Sequence, residues 1–129
     1  MAYRLHTAVC TYNLDLIHTF CEEGDDIEIK NVDNLTPLEL ACYLVTKSEA
    51  IQLLYECISK LLEYGALVSK HMLTEINEVI DIEESLFGDT KDFKDLVKIR
   101  NRLQEKYDYQ HNPGFKREII NNNDDDDDM

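Results

Sequence analysis

The chain has 129 residues, 43% of them hydrophobic, and a formal net charge of -14. That length fits a single small domain with a modest core, and no apolar run approaches the roughly 20 residues that span a bilayer. The acidic balance leaves no basic stripe to displace counterions from nucleic acid, so membrane-spanning and phosphate-reading functions are both set aside.

In chain order, the first recurrent pattern is Leu5-His6-Thr7-Ala8, which returns as Leu38-Glu39-Leu40-Ala41. The offset from position 5 to position 38 is the period of one class of stacked two-helix repeat, about 33 residues. The second copy carries the longer run Asp33-Asn34-Leu35-Thr36-Pro37-Leu38 and, further on, Leu61-Leu62-Glu63-Tyr64-Gly65-Ala66. On these residues the chain resembles the ankyrin-repeat family, whose pattern is a turn, then Thr-Pro-Leu-His-x-Ala, then a second helix ending Leu-Leu-x-x-Gly-Ala. The pattern maps twice onto the first half of the chain. In the first copy the opening turn is missing, and Leu5, His6 and Ala8 occupy the Leu-His-x-Ala positions. Asn13 to Ile17 begins the second helix, and Phe20-Cys21-Glu22-Glu23-Gly24 closes it at the offset from Leu5 that the family pattern expects. Asp25 to Asn31 then matches the extended segment that leads into the next finger. In the second copy the stretch from Leu38 to Gly65 is eight residues longer than that from Leu5 to Gly24, with Glu39 in place of the motif histidine and Asn34 in place of the turn glycine.

Asn34 can replace glycine at a positive-φ turn position because its short amide hydrogen-bonds locally. Thr36-Pro37-Leu38-Glu39 predicts a strong helix start: Thr36 caps, Pro37 takes the first helical position and Glu39 reaches back as the capping-box partner. The eight extra residues are expected to lengthen the second helix at its beginning. Thr46-Lys47-Ser48-Glu49 is another capping box, and Ala50, Ile51, Leu54, Cys57, Ile58, Leu61 and Leu62 follow at helical spacing. These spacings predict a helix over 47–63, about 25 Å long, its first turns projecting past the stack and Gly65 stopping it in a left-handed cap. A loop between the two helices is the alternative use of the extra residues.

Val68, Met72, Leu73, Ile76, Val79 and Ile80 predict an amphipathic helix over 68–80, where a third repeat would begin without the Thr-Pro-Leu-His signature. Asp81 to Gly88 reads as a connecting segment with apolar anchors, after which Asp89 or Thr90 caps a helix running to about Tyr107. Phe93, Leu96, Val97, Arg100, Leu103 and Tyr107 share one face of that helix. Lys94, Asp95, Lys98, Arg102, Glu105 and Lys106 make the other face the solvated outer surface a terminal repeat needs. The expectation is an all-α solenoid domain over 1–107, with repeats at about 1–31 and 32–67 and a degenerate cap over 68–107. Asn112-Pro113-Gly114 breaks the helix, and 108–129 is expected to be a disordered, Asn/Asp-rich acidic tail.

Asp124 to Asp128 supply five of the fourteen net negative charges, so the rest of the chain is acidic in its own right. Such a field steers toward a partner with a basic surface, or simply keeps a small protein soluble. The aspartate run lacks EF-hand spacing. Cys10, Cys21, Cys42 and Cys57 form no Cys-x-x-Cys pair and fall at helical positions, which predicts reduced, buried thiols and a cytoplasmic or nuclear compartment. Asn13 and Asp15 interrupt the only N-terminal stretch that could serve as a secretory leader. Phosphate-cradling glycine loops and a nucleophile elbow are both absent from the sequence. His6 with Cys10 and His18 with Cys21 have the i, i+4 and i, i+3 spacings of paired zinc ligands. The resemblance gives His6 the motif-histidine role instead, bonding near a neighbouring turn, and Cys21 a core position. No catalytic, metal or cofactor site is expected, and a zinc or thiol enzyme is kept only as a third reading.

The resemblance implies recognition of another protein by finger turns and the exposed side of the first helices. Carried onto this chain, the expected contacts are Lys30, Asn31, Val32, Asp33 and Asn34 at the finger, with Cys42 and Tyr43 on the first helix. Gln52, Tyr55 and Glu56 join them on the projecting part of the long helix. Tyr43 leads, because a rigid aromatic with a polar tip brings contact area at low entropic cost; packing of Tyr43 on Tyr12 is the competing reading. A monomer that binds one protein partner is expected, with an unrelated small acidic helical subunit as the second reading. So few units lie near the minimum for independent folding, which makes the chain either a piece of a longer ankyrin protein or one completed by its partner. Short, Asn- and Ile-rich ankyrin proteins of this look occur in large DNA viruses and intracellular parasites, which would put the partner among host factors, in host cytoplasm or nucleus.

Overall fold

The computed structural model describes residues 3–47 and 50–111. They form six helices: α1 (Arg4–Cys10), α2 (Leu14–Glu22), α3 (Pro37–Thr46), α4 (Ile51–Glu63), α5 (Lys70–Phe87) and α6 (Lys91–His111). No strand occurs among the described residues, so the class is all-α. α1 packs on α2, α3 on α4 and α5 on α6, making three helical hairpins. Across the hairpins α1, α3 and α5 touch in succession, and so do α2, α4 and α6.

The echo between the two sequence copies is a burial pattern. Leu5, Ala8 and Val9 of α1 and, one period on, Leu38, Ala41 and Cys42 of α3 are each exposed by 2% or less. Counted back seven residues from the closing glycines, Ile17 and Ile58 are both fully buried. Gly24 and Gly65 sit at φ 92° and 91°, the left-handed region that a Cβ disfavours, so each ends its second helix at the same landmark. Equivalent apolar positions thus meet a shared interior of 23 buried hydrophobic residues, whose removal from water supplies most of the driving force for folding.

The start of α3 forms as its residues dictate. Thr36 Oγ1 accepts from Glu39 N at 3.2 Å, Glu39 Oε1 accepts from Thr36 N at 2.8 Å, and Pro37 occupies the first helical position. The eight extra residues are placed differently from the expectation. α3 has 10 residues against 7 in α1, α4 has 13 against 9 in α2, and the connection grows by one. Thr46 does not cap α4: it is the last residue of α3, and α4 begins only at Ile51, about 20 Å long, behind Ala50 at φ 45°. Ser48 and Glu49 of the expected capping box lie outside the described residues. The physical reason is that Val45 is buried and extends the core face of α3 by another turn, so the lengthening is shared between both helices of the hairpin.

The third hairpin departs further. Gly24 and Thr36 are twelve residues apart, but Gly65 and the next cap, Ser69, only four, so α5 is entered without a finger. Ser69 Oγ accepts from Met72 N at 3.3 Å. The segment 81–88 is not a connection: α5 runs through Phe87 and ends at Gly88, φ 77°. Thr90, not Asp89, caps α6, accepting from Phe93 N at 3.0 Å while donating to Glu83. α6 continues one turn past Tyr107 to His111, so 108–111 belong to the folded part, and the rest of the expected tail lies outside the described residues. Gln110 explains the extra turn, because its side-chain amide accepts from Val68 N at 2.9 Å and donates to Ala66 O at 3.0 Å, pairing backbone groups that no strand satisfies. Asp95, expected on the solvated face, is 4% exposed and bonded to Lys91 Nζ at 2.9 Å.

Candidate functional site

Lys30 to Leu35 is a turn built from backbone and one asparagine. Asn31 N donates to Leu35 O at 3.0 Å, Asn34 N donates to Asn31 O at 2.9 Å, and Asn34 takes φ 65°. Inside the turn Asn31 Oδ1 accepts from Asp33 N at 2.9 Å and Leu35 N at 3.1 Å, so this side chain is used to hold the loop. The tip is then anchored from outside. His6, 4% exposed on α1, places Nε2 2.8 Å from Leu35 O; since a carbonyl only accepts, the ring proton is on Nε2. His6 Nδ1 is buried without a hydrogen-bond partner, and Tyr3 packs edge-on against the ring. A bond from one hairpin to the turn that opens the next fixes the position of the tip on the helical scaffold.

What the turn presents is Val32, 85% exposed, between the exposed Lys30, Asp33 and Asn34. One and a half turns into α3, Tyr43 is 45% exposed, four residues beyond the capping Glu39 and so on the same helical face. Lys47 Nζ lies 4.9 Å from the Tyr43 ring centroid, and no ring pair joins Tyr43 to Tyr12 among the described residues. Tyr12 packs against the core instead. Beside the finger a shallow groove of about 200 Å³ is bounded by Glu28, Lys30, Glu39 and the exposed Leu67. Glu28 accepts from Leu67 N at 2.9 Å; burial pushes its carboxyl above the ordinary range, opposed by that bond.

Cys42 is a correction to the expected contact set. It is 1% exposed, the counterpart of Val9, and belongs to the core face of α3. On α4, which begins at Ile51 and has 13 residues against 9 in α2, Gln52 and Glu56 are exposed and bonded to each other at 3.5 Å, while Tyr55 is half-buried against the core. The finger residues and Tyr43 therefore lie on one part of the chain, and the α4 residues on the other layer.

The thiols differ from one another. Cys10 is exposed and Cys21 half-buried, against the expectation of four buried thiols; Cys42 and Cys57 are buried. Burial, with Glu75 and Glu39 adding, pushes the Cys42 thiol up to about 12; burial and Glu56 push Cys57 up to about 11. Cys21 is raised by burial, then by Asp25 and Glu22. A thiol nucleophile requires the opposite shift. His18, the other half of the zinc spacing, is engaged elsewhere: Tyr64 Oη donates to Glu22 Oε2 at 2.6 Å, leaving its oxygen to accept from His18 Nδ1 at 2.7 Å. The Glu22 carboxylate holds the Tyr64 proton, pushing that hydroxyl up to about 12. Among the described residues no three His, Cys, Asp or Glu side chains gather as a metal cluster, and no helix is long and apolar enough to cross a membrane.

No family model, curated protein or solved structure matches the chain. Arg4 went unnoticed in the sequence, yet it closes the first hairpin. Its guanidinium donates to both carboxylate oxygens of Asp25 at 2.8 Å and to Glu23 at 2.6 Å, lies 4.3 Å over the Phe20 ring, and holds Asp25 below the usual carboxylate range. The fork geometry of arginine suits such a bidentate pair. The apolar end of α5 was also missed as a surface. Ile82, Leu86 and Phe87 are 57%, 68% and 66% exposed, and their i, i+4, i+5 spacing was the available signal that the helix does not stop at Ile80.

Proposed function

We propose that the chain is a non-enzymatic protein-binding module, an ankyrin-type stack of two repeats with the third hairpin as its cap. It engages one protein partner through the finger and the exposed face of α3. The observation that carries this reading is the His6 bond to Leu35 O, because it fixes an apolar tip, Val32, on a rigid support where nothing among the described residues covers it. The succession of contacts α1–α3–α5 and α2–α4–α6 supports the stacked arrangement, as do the matched glycines. A preorganised loop on a stiff scaffold binds with little ordering cost, and an exposed tyrosine nearby supplies an aromatic anchor. A monomer in cytoplasm, host cytoplasm or nucleus if the chain is viral, goes with this reading, as does the absence of any cofactor, nucleic-acid or membrane partner; the field of the acidic chain favours a basic partner surface.

Cross-linking and mass spectrometry in the native cell test it, because Lys30 and Lys47 flank the tip and Tyr43. Cross-links to one protein should concentrate on those two lysines and disappear in a Val32→Asp, Tyr43→Ala double variant whose helical circular dichroism is unchanged. Cross-links confined to other lysines, or indifferent to the double variant, would overturn the reading. The second reading, a small acidic helical subunit unrelated to ankyrin, takes its support from the third hairpin, whose 18- and 21-residue helices exceed those of the second. It requires that cross-links do not concentrate on Lys30 and Lys47, and a concentration there that the double variant abolishes removes it.

A further inference from the structure

Helix length grows along the stack, and this leaves one hairpin overhanging its neighbour. α5 has 18 residues and α3, against which it packs, has 10, so the last eight residues of α5, about 12 Å, extend beyond α3. α6 packs along α5 on one side, where its own Leu96 is fully buried. The other side is open. Along α5 the line Leu73, Ile76, Ile80 is buried to 6% or less and Glu83 is half-buried, but Phe87, two turns beyond Ile80 on the same line, is 66% exposed because no helix among the described residues continues alongside it. Ile82 at 57% and Leu86 at 68% widen the patch. Three large apolar side chains exposed together, rimmed by charge, are the signature of a docking surface, whereas scattered single ones are not.

The rim tells which occupant fits. Glu78, Asp81 and Glu84 on α5 and Asp92 at the start of α6 are exposed, and none of the four is ion-paired among the described residues. The lysines of the same tip are engaged: Lys91 lies 2.9 Å from Asp95 and Lys94 3.9 Å from Asp89. A second copy of the chain would set these carboxylates against their own equivalents, and an anionic lipid surface would meet the same repulsion. A segment with Leu- or Phe-type residues on one face and Lys or Arg beside them meets neither cost, covering the apolar patch while pairing the rim. We propose that the overhanging end of α5 docks a cationic amphipathic segment of another protein, through Ile82, Leu86 and Phe87, with Glu78, Asp81 and Glu84 selecting its charge. This surface is separate from the finger and Tyr43.

The full-length chain and two fluorescent amphipathic peptides of equal hydrophobicity, one of Leu and Lys and one of Leu and Glu, test the proposal by anisotropy. The Leu-Lys peptide should bind, weaken with added salt, and bind about tenfold more weakly to Leu86→Ser, Phe87→Ser, whose substitutions are on the surface and leave the fold intact. Glu78→Gln, Asp81→Asn, Glu84→Gln should flatten the salt dependence, and Val32→Ser should change nothing. Equal binding of the Leu-Glu peptide overturns the charge selection. Leu-Lys binding indifferent to Leu86 and Phe87, a Phe87-dependent dimer in sedimentation, or Phe87-dependent binding to anionic vesicles overturns the proposed occupant. Because Val32 and Tyr43 are untouched in the patch variants, failure here leaves the finger reading standing, and failure there leaves this one.

Discussion

The first two hairpins are alike where the chain enters and leaves each unit and different at the opposite end. Leu5 and Leu38 hold the same buried place, Gly24 and Gly65 the same left-handed turn, yet the second unit carries eight more residues, all of them between those landmarks. The caps and glycines that set how one hairpin meets the next cannot move without breaking the packing of equivalent apolar faces. The far end meets no such constraint, so residues are added there, to both helices at once. The third hairpin takes this furthest: it drops the finger and has the longest helices, and it is the one that leaves a large apolar patch uncovered.

The largest way to sharpen the comparison uses Cys42, whose counterpart in the first hairpin is Val9. With the folded thiol at about 12 and an unfolded value of 9.0, the folded state holds the proton more tightly. Its contribution is therefore complete below pH 9 and lost as pH rises from 9 through 12. Urea unfolding should show a decline on the order of 2–3 kcal/mol between pH 8 and pH 11 attributable to this thiol. Cys42→Val should remove that part of the decline at a neutral-pH change under about 1.5 kcal/mol, since the volume is nearly kept. An unchanged alkaline limb in the variant would mean that α3 does not bury position 42.

Next in size are the matched glycines. Neither Gly24 nor Gly65 has a heavy atom within 4 Å of where a Cβ would sit, so substitution costs backbone strain alone. Gly24→Ala and Gly65→Ala should each lower the unfolding free energy by about 1–2 kcal/mol, and by amounts equal within error. A large inequality would show that the two turns are not equivalent, and the paired hairpins would lose their common landmark.

Much of this was legible in the chain. The echo of Leu5 at Leu38, the Thr36-Glu39 box, Asn34 in a positive-φ turn and Gly65 as a stop all rest on local chemistry, and all are found. What was misplaced depends on what a helix meets. Thr46-Lys47-Ser48-Glu49 has the composition of a helix start, but Val45 buries against the core and keeps α3 going through Thr46. Asp81 to Phe87 has enough charge to read as a connection, yet α5 runs through it to Phe87, as the spacing of Ile82, Leu86 and Phe87 allows. Cys42 shows the opposite case, in which the sequence held the answer: Val9, one period earlier, marks that position as core. His6 was placed by resemblance near a neighbouring turn, and Leu35 O is where its bond goes. Exposure of Ile82, Leu86 and Phe87 could not be read from spacing, since it depends on α3 being eight residues shorter than α5.

The smallest expected effect separates the finger-bearing entry from the finger-less one. Thr36 and Ser69 both cap a first helix, but Thr36 belongs to a reciprocal box and sits beneath a turn that His6 ties down, whereas Ser69 offers a single bond at 3.3 Å and no partner reaches back to its amide among the described residues. Thr36→Ala should cost about 1–2 kcal/mol and Ser69→Ala about 0.5–1 kcal/mol by urea unfolding. Combined with His6→Ala, Thr36→Ala should lose less than the sum of the separate costs, because both act on the same short segment, and Ser69→Ala with His6→Ala should add. Additivity in both pairs would mean that the turn and the helix it opens are held independently, and a tip that moves freely of α3 is no rigid contact surface.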